Sequence, residues 1–354
     1  MKKILLICML TGYVVIAQAG EHKPRGEHHK RVAAHQVKPH AKHVAHAKHV
    51  VKHHAGRVAK HYASHVEIRQ VQRQETNEAR HVAVKLDTEL SDTAFQPVSS
   101  PKLASSIALI YDEQTQRPLY TKNPDAVAPI ASITKLMTAM VVLDSQPDMN
   151  ESLSVADADL DVLKGTHSRL GVGTTFVRSE MMKLALMSSE NRAASVLARN
   201  YPGGTAAAVA AMNAKARKLG MLNTTFRDPT GLNSENVSTA RDLVKMVAAA
   251  RNYKLIHQYT TTATHSVEGA RGRELTFNNT NPLVKNADWE IGVSKTGYIN
   301  EAGRCLVMQA QIRQRPVIIV LLDSVGKSTR IGDANRVKKW IESSSAQVRI
   351  AHRG

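Results

Sequence analysis

Ser132-Ile133-Thr134-Lys135 puts a hydroxyl and an amine three residues apart where an apolar helix is expected to begin. Three residues is nearly one helical turn, so the two side chains share a face, the geometry of a serine nucleophile with its own base. Alone the spacing is weak, since solvated helix starts produce it by chance. Ser189-Glu190-Asn191 adds a hydroxyl and a carboxamide at an expected break between two helices, where both can face a cleft. The duplicate Ser234-Glu235-Asn236 shows how cheaply that pattern arises as a helix cap. Lys295-Thr296-Gly297 ends an expected strand with a cation, a hydroxyl and then no side chain, which leaves room for an extended chain alongside. By itself it also reads as a strand entering a hairpin turn.

The elements that must hold these groups are legible from periodicity. Ala104 to Tyr111 reads as a strand, Asp112 to Pro118 as a turn and Leu119 to Thr121 as its hairpin mate. Helices are expected from Ser132 to Leu143, Ser179 to about Arg199 with a break at Ser188-Ser189, Thr205 to Leu219, Thr239 to Arg251 and Ala334 to Ile341. Trp289 to Lys295, Arg304 to Arg313 and Pro316 to Asp323 read as successive antiparallel strands. Strands at both ends with helices between them predict an α+β domain: an antiparallel sheet, flanked by helices, whose first hairpin and last three strands meet around an inserted, mainly helical subdomain.

Composition divides the remainder. The 354 residues carry a formal charge of +18 and 42% hydrophobic residues, enough for a real core. Residues 1–19 have a lysine pair, an apolar run too short to span a bilayer comfortably and Ala17-Gln18-Ala19, the pattern of a secretory signal peptide. Export places the mature chain in the periplasm, free or loosely associated with membrane or wall. Residues 20–82 hold thirteen of the seventeen histidines and thirteen Lys and Arg against five Glu, with almost no Leu, Ile or Phe. Such a segment cannot bury a core and is expected to be a low-complexity, disordered arm. A plain tether, contact with a polyanion, and metal capture by His40, His43, His46 and His49 compete as its role. Residues 83–101 read as a linker and 344–354 as a tail that makes no convincing amphipathic anchor. With the signal removed, Cys305 is the only cysteine; its apolar strand marks it as a buried core thiol. Arg169 and Asp242 are assigned to scaffold ion pairs and His167 to a loop.

Ser-x-x-Lys, Ser-x-Asn and Lys-Thr-Gly in this order resemble the active-site triplet of the penicillin-recognising serine enzymes, which include β-lactamases and D,D-peptidases. Pro129 to Thr138, Leu186 to Ala194, Asn213 to Met221, Pro229-Thr-Gly-Leu232 and Asn279-Thr-Asn281 narrow the resemblance to low-molecular-mass penicillin-binding proteins, nearest in pattern to the D-alanyl-D-alanine endopeptidase (penicillin-binding protein 7) type. It covers about residues 100–343 and implies a serine D,D-peptidase domain over 102–343 with a β-lactamase/D,D-peptidase-like fold. It further implies that Ser132 is acylated, that Lys135 is its base and that Ser189 relays protons. Desolvation and repulsion from Lys295 would both lower the Lys135 pKa. Asn191, Lys295, Thr296 and Gly297 would bind substrate, and the Ser132 and Tyr298 backbone amides would form an oxyanion hole. The implied function is cleavage of D-alanyl cross-links in peptidoglycan, with β-lactams as covalent inhibitors and neither metal, cofactor nor nucleic acid involved.

Alternatives remain open at this stage: a D-alanyl-D-alanine carboxypeptidase, a β-lactamase, or a non-catalytic basic cell-wall-binding protein. No Glu-x-x-x-Asn deacylation motif follows Asn191; between Asn223 and Thr239 the only glutamate is Glu235. That counts against a fast-deacylating β-lactamase. No β-rich second domain follows residue 343.

Overall fold

The structure, a computed structural model, describes residues 100–269 and 272–351, with side chains through 344. The expected signal peptide, the histidine-rich arm and nearly all of the linker lie outside the described residues.

In chain order the strands are β1 (Ile107–Asp112), β2 (Arg117–Lys122), β3 (Ala128–Pro129), β4 (Ser152–Ser154), β5 (Thr175–Val177), β6 (Val237–Ser238), β7 (Thr264–Glu268), β8 (Glu274–Asn278), β9 (Glu290–Ile299), β10 (Gly303–Ile312) and β11 (Arg315–Ser324). The helices are α1 (Thr134–Asp144), α2 (Arg178–Met187), α3 (Asn191–Arg199), α4 (Gly204–Lys218), α5 (Ala240–Ala250), α6 (Lys254–Thr260) and α7 (Thr329–Ala351). The main sheet runs β2-β1-β11-β10-β9, every neighbour antiparallel, so the first hairpin and the last three strands do meet.

β11 is apolar without a break from Pro316 to Leu322, and β10 from Cys305 to Met308, because the sheet is covered on both faces. Cys305, Val307, Ile318, Val320 and Leu322 face the helical side with Leu136, Met137 and Met140 of α1. Leu306, Met308, Ala310, Ile319 and Leu321 face the other way, onto Val337, Trp340 and Ile341 of α7. Each strand thus alternates between two apolar layers rather than between core and water. Cys305 is fully buried, and burial pushes its thiol up to about 11, as suits a core residue.

Boundaries departed from expectation where local polar groups decided them. α7 begins at Thr329 and runs through the serines at 343 and 344, whose hydroxyls each donate to the Trp340 carbonyl at 2.9 Å. These back-bonds let poor helix formers continue a helix, so the predicted tail is in part its last turns. α6 and the β7–β8 hairpin went unpredicted. α6 is seven residues long, and each strand of the hairpin buries a single large apolar side chain, Val267 or Phe277. Asp242 takes part in an ion pair with Lys245 at 3.0 Å, as assigned. Arg169 instead stacks 3.8 Å above the Phe277 ring and donates to the Thr276 carbonyl at 2.6 Å. His167 is an exposed loop residue.

Candidate active site

Ser132 sits in a single 3₁₀ turn, Ala131–Ile133, that leads directly into α1. The turn is held by two glycines. A Cβ on Gly231, whose φ is +85°, would lie 2.0 Å from the Ala131 carbonyl oxygen and 2.8 Å from the Ser132 nitrogen. One on Gly297 would lie 2.8 Å from the Ile130 carbonyl oxygen and 3.1 Å from the Ser132 nitrogen. Gly297 is therefore needed first for close approach of β9 to the serine turn, a reason the motif alone did not supply. Ala131, at φ +47°, absorbs part of the constraint.

Nearly one turn after Ser132, at the second residue of α1, the Lys135 ammonium reaches back. Nζ donates to Ser132 Oγ at 2.8 Å, to Asn191 Oδ1 at 2.7 Å and to the Thr230 carbonyl at 2.7 Å. Asn191 is the first residue of α3, and Ser189 lies in the break before it. That break is built from sequence: the Ser188 hydroxyl and N–H both donate to the Leu184 carbonyl, and the Glu190 N–H closes on the same oxygen at 3.2 Å. The closure holds Ser189 at φ +63°, a position that ordinarily favours glycine. A side chain kept there despite the strain points to a use for its hydroxyl.

From the opposite wall, Lys295 Nζ donates to Ser189 Oγ at 2.8 Å and to the Thr296 carbonyl at 2.9 Å. The Thr296 hydroxyl donates to Thr280 Oγ1 at 2.7 Å, while the Thr280 N–H bonds the Met187 carbonyl at 3.0 Å. Thr280 thereby ties the end of α2 to β9. Tyr298, one residue past the glycine, is half exposed, with its hydroxyl on Asn300 and the Arg304 guanidinium 4.4 Å from its ring.

Two lysines, each 1% exposed, lie in one cleft. Burial lowers the Lys135 pKa to about 7, opposed by the carboxylates of Asp228 and Glu190. Lys295 is pushed well below the ordinary lysine value, chiefly by burial and then by the positive charges of Lys135 and Arg330. The expected repulsion thus falls on Lys295, whereas for Lys135 burial is what lowers it. Arg330 opens α7 and is itself buried, with its Nε and Nη1 lacking hydrogen-bond partners.

All of the predicted groups, Ser132, Lys135, Ser189, Asn191, Lys295, Thr296 and Gly297, gather around this cleft. Several supporting residues were missed. Asp228 accepts from the N–H groups of Thr230, Gly231 and Asn233 and from the Thr230 hydroxyl, shaping the loop whose carbonyl meets Lys135. Asn236, dismissed with its duplicate Ser-Glu-Asn, is fully buried; it bonds the backbone of Arg227 and Asp228 and the Thr134 hydroxyl. The Asp-Pro-Thr-Gly run at 228–231 was the available signal for this loop, since an Asp two residues before a Thr-Gly step caps a turn. Glu235 lies on the outside, paired with Arg227 at 3.1 Å. Among the described residues no cluster of three His, Cys, Asp or Glu could hold a metal ion.

The model of the peptidase S11 family, D-alanyl-D-alanine carboxypeptidase, matches residues 94–326. The chain is 51% identical over 243 residues to a D-alanyl-D-alanine endopeptidase of Pseudomonas aeruginosa, covering 68% of this chain and 78% of that one. It is 48% identical over 251 residues to the Escherichia coli protein of the same name, covering 71% and 81%. Among solved structures it is similar to a Streptomyces DD-transpeptidase, with 28% identity and a TM-score of 0.63 over 69% of this chain and 98% of that one. With the fold, the serine turn and its two buried lysines in place, the chain belongs to the peptidase S11 family of serine D-alanyl-D-alanine peptidases.

Proposed function

We propose that this protein hydrolyses D-alanyl peptide bonds in peptidoglycan, cutting cross-links as an endopeptidase through an acyl-enzyme on Ser132. The observation that carries the reading is Lys135, an amine buried to a pKa of about 7 and 2.8 Å from the serine oxygen. At neutral pH an appreciable fraction is a free base, able to take the Ser132 proton as the oxygen attacks a carbonyl carbon. The negative charge then developing on the carbonyl oxygen would fall to the Ser132 and Tyr298 backbone amides, since β9 passes within contact of the serine turn. Ser189, touching Lys295, is placed to carry a proton to the leaving nitrogen as the C–N bond breaks.

Asn191 keeps one amide N–H for a substrate carbonyl, because it has two and Thr166 accepts one at 3.0 Å. Lys295, Thr296 and the Arg330 guanidinium, whose Nε and Nη1 lack hydrogen-bond partners, line the far side with donors that fit a carboxylate on the leaving peptide, whose charge would in turn favour a protonated Lys295. Endopeptidase ahead of carboxypeptidase action follows the Pseudomonas aeruginosa and Escherichia coli relatives, both D-alanyl-D-alanine endopeptidases by name. Water must then clear the acyl group. The cleft-side carboxylate Asp228 is committed to loop N–H groups and Glu235 faces outward. β-Lactams, which leave no departing amine, are therefore expected to form a persistent adduct rather than be turned over. The signal-peptide pattern of residues 1–19 and the basic composition of residues 20–82 support localisation in the periplasm, with the arm meeting wall or membrane polyanions.

Purified cross-linked muropeptide dimers test the specificity: monomers are expected, and release of terminal alanine instead would favour the carboxypeptidase. Labelled penicillin should acylate the protein, and Ser132→Ala should abolish the label; undiminished labelling would sink the assignment.

A further inference from the structure

The Asn191 carboxamide touches Lys135 with one end and Thr166 with the other, and Thr166 lies in the loop between β4 and β5. The Thr166 hydroxyl is 2.6 Å from Asp161 Oδ2, and its backbone N–H is 2.7 Å from the same oxygen. Asp161 also accepts the N–H groups of Leu163 and Lys164 at 2.8 and 3.0 Å; against the upward push of burial, the Thr166 hydroxyl first and then these backbone bonds hold its carboxyl below the ordinary value, so it is an acceptor only. A hydroxyl has one hydrogen. Since Asp161 can only accept, that hydrogen goes to Asp161, and the Thr166 oxygen offers Asn191 a lone pair. At 3.0 Å only the Asn191 NH₂ satisfies it; turned over, the carboxamide would set oxygen against oxygen.

We propose that Thr166, itself oriented by Asp161, is a positioning residue that fixes which end of the Asn191 carboxamide faces Lys135 and thereby aims the Lys135 lone pair at Ser132. This rests on the acyl-enzyme reading above. A neutral amine has two N–H bonds and one lone pair. Its three neighbours are Asn191 Oδ1, the Thr230 carbonyl and Ser132 Oγ, of which the first two are carbonyl oxygens that accept only. Both N–H bonds therefore point at carbonyls, and the lone pair is left for the one neighbour that carries a proton. When that proton moves from Ser132 Oγ to Nζ, the new ammonium has an acceptor for each of its three hydrogens. Without Thr166 the carboxamide is free to rotate. Its NH₂ would then donate to the Lys135 lone pair and turn an N–H toward Ser132, leaving the amine unable to take the proton.

The test is acylation of the full-length protein by labelled penicillin, with the limiting acylation rate and the dissociation constant resolved across pH 6 to 9. Thr166→Val removes the hydroxyl at similar volume and is expected to lower the limiting rate by at least about tenfold with the dissociation constant changed by less than about twofold. Thr166→Ser restores the hydroxyl and should recover the rate to within about threefold. Thr166→Ala, which crowds nothing, gives the same comparison should the valine variant fail to fold. An unimpaired Val or Ala variant, a loss confined to the dissociation constant, or a Ser variant as slow as Val overturns the proposal. Absence of acylation in the wild-type protein would overturn the acyl-enzyme reading itself, which separates the two failures.

Discussion

At the scale of single residues, function and stability pull in opposite directions at Ser189 and Lys135. Ser189 holds a left-handed backbone at φ +63°, a cost of roughly 1 kcal/mol or more for a residue with a side chain. Ser189→Gly should therefore leave the melting temperature unchanged or raised, while penicillin acylation falls because the hydroxyl facing Lys295 is gone. Lys135 gives the clearer pH dependence. With a folded pKa of about 7, acylation should rise as pH passes upward through about 7, as the amine becomes a base. A rate–pH profile still climbing past 9 would mean that the amine keeps an ordinary lysine pKa. The same shift works on stability with a definite sign. Between about 7 and 10.5 the unfolded chain binds a proton at this lysine that the folded chain does not, so stability contributed here rises with pH. Relative to a Lys135→Met variant, the wild type should gain on the order of 4 kcal/mol across that window, read as the difference in denaturant unfolding free energies.

At the scale of elements, the cleft depends on three segments that converge on the 3₁₀ turn and the Lys135 amine beside it. The loop ending in Thr230-Gly231, the break before α3 and the end of β9 each supply one wall. Gly231→Ala brings a Cβ against backbone that cannot yield and adds a positive φ, so it should destabilise the fold by at least about 2 kcal/mol and slow acylation further than that loss explains. Thermal melting together with acylation kinetics checks both halves. Thr280 is the gentler probe: Thr280→Val should spare the melting temperature but loosen the coupling of α2 to β9 and weaken penicillin binding severalfold. The sequence made α1, the α2–α3 break and the three long C-terminal strands readable, because apolar periodicity and helix-breaking serines are local signals. The Asp-Pro-Thr-Gly run marks the 228–231 turn locally, but nothing local announces that Asn236 braces that loop against Thr134. That bond joins residues brought together by the fold, and a lone Asn in a loop carries no mark of its partner.

At the scale of the whole molecule, the sheet with two apolar faces was legible as an α+β domain, whereas the partners of its individual loops were not. The described residues contain every group of the proposed site, and no helix among them is long and apolar enough to cross a membrane. A chain beginning at residue 94 should accordingly fold and acylate with penicillin at the full-length rate. If residues 20–82 meet wall polyanions, removing them should reduce binding to isolated sacculi in low salt and leave cleavage of soluble muropeptide dimers unchanged. Equal sacculus binding by both forms would leave the arm as a tether. The two glycines that bracket Ser132 also bear on inhibitor resistance. With Gly231 and Gly297 both abutting the backbone of 130–132, an amino-acid change at either position displaces the nucleophile before it can obstruct a drug. Escape from β-lactams by narrowing the cleft at its centre is thus closed to single substitutions there, and selection is left to act on the rim, where Tyr298 and the loop carrying Thr166 meet solvent.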